Sequence, residues 1–488
     1  MPQFRQREFE PSPRLPVEVK ARSFRPSSPA GSPPSSPAPP VDPRWAADES
    51  NKARQLGVAL IVIYVFIRFS LISEILTFGL GFKPYLIIVF GPSSLLLTLL
   101  SGGVRRSMRE KPAWFMVAFM LWLLAVTPLS TWKGGSVRLL VPAFETEFTM
   151  FFMTAGLLFT LSDLKRVSKA IILGGLAAVI ASRFYGVTEY GRFSLSFGSL
   201  SNANDFATHL LVIVPFALMA ILGKTSFPLR IVAIVTAVGA SLIIFKTGSR
   251  SALVSVTLMV CFLLFKSRGA QKIGLMAGLF VVAAVGVVTL PESTLNRYLT
   301  LFGSSGATTV DEAVGLQMAA GSGAQRKELL IDSMIMTIQH PIFGVGPGQF
   351  AVQDAARAAS MGVNGKWLLT HNTYTEVSSE TGIPGLILFV CVLGSTFNSV
   401  RRVYNELRAC DELAPVASAA LCLMMSLAGF YVSIFFAAMS YRYYVPTMVG
   451  ITVAFVSAAK HELNAWKAKN PPQVSAVYAG FPTPVVSR

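Results

Sequence analysis

Residues 371–402 read HNTYTEVSSETGIPGLILFVCVLGSTFNSVRR. A polar opening led by His371 gives way at Gly382 to an apolar run, and the run ends on Arg401 and Arg402. A bilayer core of roughly 30 Å needs about 20 apolar residues as a helix. The segment therefore predicts a membrane span over 382–400, with an aqueous edge at one end and basic anchors at the other. Working outward, comparable runs lie near 55–77, 83–101, 113–130, 145–161, 168–185, 203–223, 229–246, 250–266, 272–290, 415–438 and 442–459. Together they make about twelve spans. Hydrophobic residues are 52% of the 488 and charged residues 14%, which excludes an ordinary soluble domain. The expected fold is an all-α polytopic membrane protein with about twelve transmembrane helices and one large outer loop, 291–381, between spans nine and ten, which is periplasmic if the membrane is a bacterial inner membrane.

Basic clusters set the expected orientation. Arg105, Arg106, Arg109 and Lys111 fall between spans on one side, as do Lys165, Arg166 and Lys169, then Lys224 and Arg230, then Lys266, Arg268 and Lys272, then Arg401, Arg402 and Arg408. Basic loops favour the cytoplasm, so both termini are expected there. The net charge of +17 is then accounted for by topology and by basic tails, and no nucleic-acid partner is expected. Residues 1–50, rich in Pro, Ser and Arg, read as a disordered cytoplasmic tail. They show neither a signal peptide nor the amphipathic helix of a transit peptide. Residues 51–460 form the transmembrane domain and 461–488 a second tail. Cys261, Cys391, Cys410 and Cys422 have no CxxC spacing, so neither a disulfide framework nor a metal site is expected.

The basic residues left on the outer side need another explanation. Arg192, Lys246, Arg250, Arg326 and His371 all fall at or beyond the outer ends of spans. A cation there either snorkels to lipid phosphate or binds an anionic ligand. Arg250 stands in KTGSRSAL, where a Gly-Ser break frees backbone N–H groups beside a guanidinium. That combination suits a phosphate or diphosphate. Arg192 opens the polar-aromatic stretch RFSLSFGSLSNANDFATHL, in which Asn202, Asn204 and Asp205 suit a helix start and Asp205 and His209 share a helix face. Arg326 lies near the start of an expected amphipathic helix carrying Leu329, Ile331, Ile335 and Ile338, with His340 complementing the dipole at its end. The GVGPG that follows lacks a Walker lysine and reads as a tight turn. His371, close to Asn372, Tyr374 and Glu376, has an ordinary pKa suited to taking a proton from a hydroxyl. No second ligand stands at a metal-binding spacing from it. Arg68 is a charge inside the first span, and it is expected either to pair or to lie near the interface.

Four stretches, GRFSLSFGSLSNANDFA, KTGSRSAL, AQRKELLIDSMIMTIQHPIFGVGPGQF and HNTYTEVSSETGIPGL, make the chain resemble the O-antigen ligase and polymerase superfamily over about residues 55–460. The last of them is the most specific. The resemblance implies a membrane glycosyltransferase that takes a glycan from an undecaprenyl-diphosphate carrier to a glycan, lipid or protein acceptor, without metal or other cofactor. Arg192, Arg250 and Arg326 would hold the diphosphate. Asn204, Lys246, Asn372 and Tyr374 would complete the binding surface, and His371 would deprotonate or orient the acceptor hydroxyl in an inverting displacement. A histidine beside a diphosphate is expected to have a raised pKa, a tension that neutralising arginines relieve. The resemblance does not separate ligase from polymerase. The lack of an obvious lipid A recognition feature leans toward polymerase. Two readings of other classes compete. A transporter or flippase would place ionisable residues near mid-membrane, and a non-catalytic assembly scaffold would tolerate loss of Arg250 and His371. The long basic N-terminal tail departs from the family pattern and has no chemistry assigned to it.

Overall fold

The computed structural model describes residues 43–470 apart from 190, 267–268, 290–291, 300–309 and 366. Arg268 and most of the two expected tails lie outside these residues, as does part of the expected outer loop. Each of the twelve apolar runs corresponds to a helix, among them Lys52–Ser70, Leu161–Tyr185, Ala203–Leu222, Phe227–Lys246 and Tyr444–Lys469. Seven described helices are long and apolar enough to cross a membrane. The described fold is an all-α bundle, and the one sheet described is a two-stranded hairpin, Gly186–Glu189 with Arg192–Leu195. Many helices keep large apolar side chains outward, Phe227 at 74% exposure and Phe265 at 85%, as a lipid-facing surface requires.

At the end of the bundle where helix Lys52–Ser70 begins, the basic residues do more than mark topology. Arg54 and Asp163 form a buried pair at 2.8 Å, and the Arg54 guanidinium stacks on Phe159. Buried Arg106 donates to Asp48 and to the carbonyls of Ser101 and Gly156. Asp48 also pairs with Arg109, which fastens the short helix Pro43–Ser50 to the bundle.

The segment between the ninth and tenth apolar runs, expected to form the outer loop, contains helices Glu292–Leu299, Val310–Gln339 and Phe350–Ser360. The expected apolar face at Leu329, Ile331, Ile335 and Ile338 needs correction. Leu329, Ser333 and Met336 are buried, while Ile331 and Ile338 are exposed. Positions 329, 333 and 336 follow the helical repeat, whereas 331 lies across the helix from 329. Arg326 therefore sits mid-helix, not near its start.

The tenth span also begins earlier than its apolar run. Its helix is Thr373–Leu407, and Gly382, where the hydrophobic run opens, is the point at which the backbone leaves helical values (φ 75°, ψ −179°). Pro384 brings no N–H to the Glu380 carbonyl, and the Ile383 N–H turns away to the Pro341 carbonyl at 2.7 Å. Two carbonyls are thereby left open. Val345 N–H bonds that of Ser379 and Gly346 N–H that of Glu380, each at 2.9 Å. The Glu380 carboxylate then accepts from the N–H groups of Gly348 and Phe350 and from the Tyr441 hydroxyl. On the far side of the same turn, Ser136 donates to the Pro347 carbonyl and Thr131 to that of Val345. The glycine-rich segment is a docking turn that fits the break in the helix.

Candidate active site

Helix Thr373–Leu407 opens with an Asn cap. Asn372 Oδ1 accepts from the N–H groups of Tyr374 and Thr375, and Thr370 Oγ1 bridges the N–H and C=O of Asn372. His371 is held between these two residues at φ 52°, a left-handed conformation that His adopts more readily than most side chains. The first turns of the helix then read a single loop. Thr373 bonds the Ala437 carbonyl and the Met439 N–H, Glu376 accepts from the N–H and hydroxyl of Ser440, and Glu380 accepts from Tyr441. Spaced at i, i+3 and i+7, the three share one face, and they set the position of Arg442 just after the loop.

The hairpin presents Arg192, whose guanidinium donates to Asn204 Oδ1 at 2.8 Å. Ser249 Oγ donates to the same oxygen at 2.8 Å, so its 2.9 Å contact with Ser251 is accepted from Ser251. Ser249 also receives the Ala252 N–H and so caps helix Arg250–Lys266. One amide oxygen thus joins the strand that carries Arg192 to the helix start that carries Arg250. Asn202, not Asn204, caps Ala203–Leu222.

Electrostatics bring the remaining residues together. Burial, then Arg326 and Arg192, pushes the His371 pKa below its ordinary 6.5. Burial, the larger cause, and the two guanidinium groups thus disfavour the imidazolium, whereas the rise expected from the sequence concerns a histidine with a diphosphate beside it. Burial and the neighbouring Arg250 likewise push Arg326 below its usual value, with Asp205 opposing them. Asp205 lies in the field of Arg442, Arg326 and Arg192. Holding guanidinium groups within mutual repulsion is a cost that an anion placed among them offsets.

The other sequence candidates separate from this group. The Tyr374 hydroxyl donates to the Tyr431 carbonyl and its ring packs near Phe389 and Phe435, while the Asn372 oxygen is committed to capping. Lys246 closes helix Phe227–Lys246, and its side chain makes no hydrogen bond or ion pair with another described residue. His209 is buried between Tyr444 and the Phe69 carbonyl. Because that carbonyl only accepts, Nε2 carries the proton and Nδ1 receives the tyrosine hydroxyl. Asp205 and His209, though one turn apart, thus face different surroundings. Arg68 pairs with Glu147 and lies over the Tyr443 ring. Sequence reasoning passed over Arg442 and Glu380. Arg442 had a usable signal as a basic residue on the same side as Arg192 in the expected topology, whereas Glu380 had none short of its partners.

Asn204→Ala removes the acceptor that Arg192 and Ser249 share. Hydrogen bonds to charged groups contribute roughly 1.5–3 kcal/mol. The expected result is a clear fall in the thermal unfolding midpoint of the purified protein relative to wild type.

Residues 235–390 match the family model for O-antigen ligase. No curated protein matches the chain.

Proposed function

We propose that the chain, which matches the O-antigen ligase family model over residues 235–390, transfers a lipid-diphosphate-linked glycan to an acceptor hydroxyl at the periplasmic face of the bacterial inner membrane. The family implies glycosyltransferase-type activity, a lipid-linked glycan donor and residence in a membrane. The observation that carries the finer reading is that Arg326 and Arg192 lie close enough to His371 to act on its charge, with Arg250 in turn beside Arg326. In this mechanism the guanidinium groups hold the diphosphate and take up the charge that develops on it as the glycosidic bond breaks. His371 receives the proton of the acceptor hydroxyl as that oxygen attacks the anomeric carbon from the opposite face, inverting it. Lys246 is a peripheral contact for the donor, and Asn372 and Tyr374 fix the backbone that presents His371. The donor is of undecaprenyl-diphosphate type. The product is a longer glycan in a polymerase, or a glycan-capped lipid or protein in a ligase.

The distribution of ionisable residues disfavours transport. Arg54, Arg106 and Asp163 are paired at the end where helix Lys52–Ser70 begins. Arg68, Asp205, Glu376 and Glu380 gather at the end where it finishes, with no chain of such residues described between the two groups.

The proposal is tested in cells lacking the protein and complemented with wild type, Arg250→Ala or Arg326→Ala at matched abundance. Loss of surface glycan with accumulation of its lipid-diphosphate precursor in both variants is expected. Full rescue by both would turn the assignment toward a scaffold.

The pH profile provides a second check. The base form of His371 is the neutral one, and in the free protein the cation is disfavoured by burial, Arg326 and Arg192. The acid limb of kcat/KM should therefore fall below pH 6.5. The limb of kcat should lie higher, since bound diphosphate favours the imidazolium. A kcat/KM limb above the ordinary histidine value would contradict the role given to His371.

A further inference from the structure

A cavity of about 240 Å³ lies beside the arginine group, between the end of helix Lys52–Ser70, the start of Ala203–Leu222 and the segment before Tyr444. Its walls include Arg68, Glu147, Ser199, Asp205, Arg442 and Tyr443. Much of their hydrogen-bonding capacity is unused. Arg68 Nε is buried and has no partner among the described residues, although another nitrogen of the same guanidinium pairs with Glu147. The Asp205 carboxylate makes no hydrogen bond to a described residue, and neither does the exposed Arg442 guanidinium. Polar groups that are largely shielded from water are nearly always hydrogen-bonded, so the half-buried, unbonded Asp205 carboxylate lining this space beside two guanidinium groups marks a polar occupant.

The lining also narrows the chemistry of that occupant. Glu147 and Asp205, with Glu74 holding Ser199 at the rim, oppose an anion. The arginines oppose a cation, and the charges of both signs oppose a lipid tail. Walls that need both donors and acceptors match a neutral molecule bearing several hydroxyls. The volume is below the roughly 300 Å³ at which pockets for drug-sized ligands begin, which limits the fit to a single sugar ring.

We propose that this cavity is a binding site for one neutral pyranose residue of a glycan, with Asp205 accepting and Arg442 and Arg68 donating hydrogen bonds to its hydroxyls. The choice of ligand rests on the glycosyl-transfer reading. Asp205 is the hinge between the two regions, since it lines the cavity and also lies in the field of Arg326 and Arg192. A sugar bonded to it is held next to the group assigned to the diphosphate. The same chemistry is offered by the first sugar of the donor and by the terminal sugar of the acceptor.

The test uses the full chain in nanodiscs and saturation-transfer NMR with the methyl glycosides of glucose, galactose and N-acetylglucosamine. At least one should give a signal above empty nanodiscs. Its binding should weaken about tenfold in Asp205→Ala and in Arg442→Gln, as expected for hydrogen bonds to charged groups, with partial recovery in the isosteric Asp205→Asn. Absence of signal from all three sugars, or wild-type binding in both Asp205→Ala and Arg442→Gln, overturns the site. The corresponding sugar 1-phosphate distinguishes the two sources. Tighter binding than the methyl glycoside, lost in Arg326→Ala, assigns the cavity to the donor sugar, and equal binding assigns it to the acceptor. His371→Ala should retain the sugar signal. If that variant also transferred glycan normally, the catalytic reading would fail while the sugar site stood.

Discussion

His371→Ala is expected to lower glycan transfer by about 10²–10⁴-fold, the range that a positioned general base contributes. The effect should fall on kcat, because the arginines that hold the donor are untouched. In cells it should appear as loss of surface glycan with lipid-linked precursor accumulating. The expectation rests on three features of the protein. His371 is half-buried, its pKa is lowered by burial and by Arg326 and Arg192, and its backbone is fixed in a left-handed conformation by Thr370 and Asn372. A neutral imidazole near neutral pH can take a proton, and a fixed backbone limits the geometries in which it does so. His371→Asn separates the base from a mere hydrogen-bonding role. Asn adopts the left-handed region readily and can orient a hydroxyl, but it cannot take its proton. A rate for Asn near that of the wild type would show that His371 only orients the acceptor.

The largest expected effect on folding is at Gly382. Its backbone angles fall in a region open almost solely to glycine, and a Cβ there would stand 2.2 Å from the Ile342 carbonyl oxygen. The strain alone costs on the order of 1–3 kcal/mol. The clash adds to it, because the obstacle is backbone held by the Ile383 to Pro341 hydrogen bond. Gly382→Ala should therefore cut folded protein in the membrane sharply, measured by abundance and thermal unfolding of detergent extracts. Gly394→Ala, on the same helix but with no atom within 4 Å of the added Cβ, should be neutral or slightly stabilising. Equal behaviour of the two variants would contradict the docking of the Pro341–Phe350 turn on the helix break.

Much of this architecture can be read from hydropathy, because an apolar run long enough to span a bilayer reports the bilayer directly. The reading fails where polar residues are buried against protein. TYTEVSSET, 373–381, looks like loop, yet it is the first part of a long helix whose Thr373, Glu376 and Glu380 bond a loop some 60 residues away. A window along the chain cannot see those partners. Arg106 and Arg109 look like topology markers and also clamp a short helix through Asp48. Within the candidate site, Arg192, Arg250, Arg326 and His371 stand out because cations are rare at that depth. Whether Asn204 caps a helix or joins two arginine-bearing elements depends on where Ser249 lies, which spacing does not encode.

The docking of the 437–441 loop onto the start of helix Thr373–Leu407 also bears on the order in which the chain is made. Arg192, Arg250, Arg326 and His371 all leave the ribosome before Ser440, Tyr441 and Arg442. Until that loop is synthesised, Glu376 lacks both of its Ser440 donors and Glu380 lacks its hydroxyl partner. Assembly of the site therefore waits on almost the last helix to enter the membrane. A chain cut before Ser440 would carry Arg192, Arg250, Arg326 and His371 without the loop that holds the start of helix Thr373–Leu407.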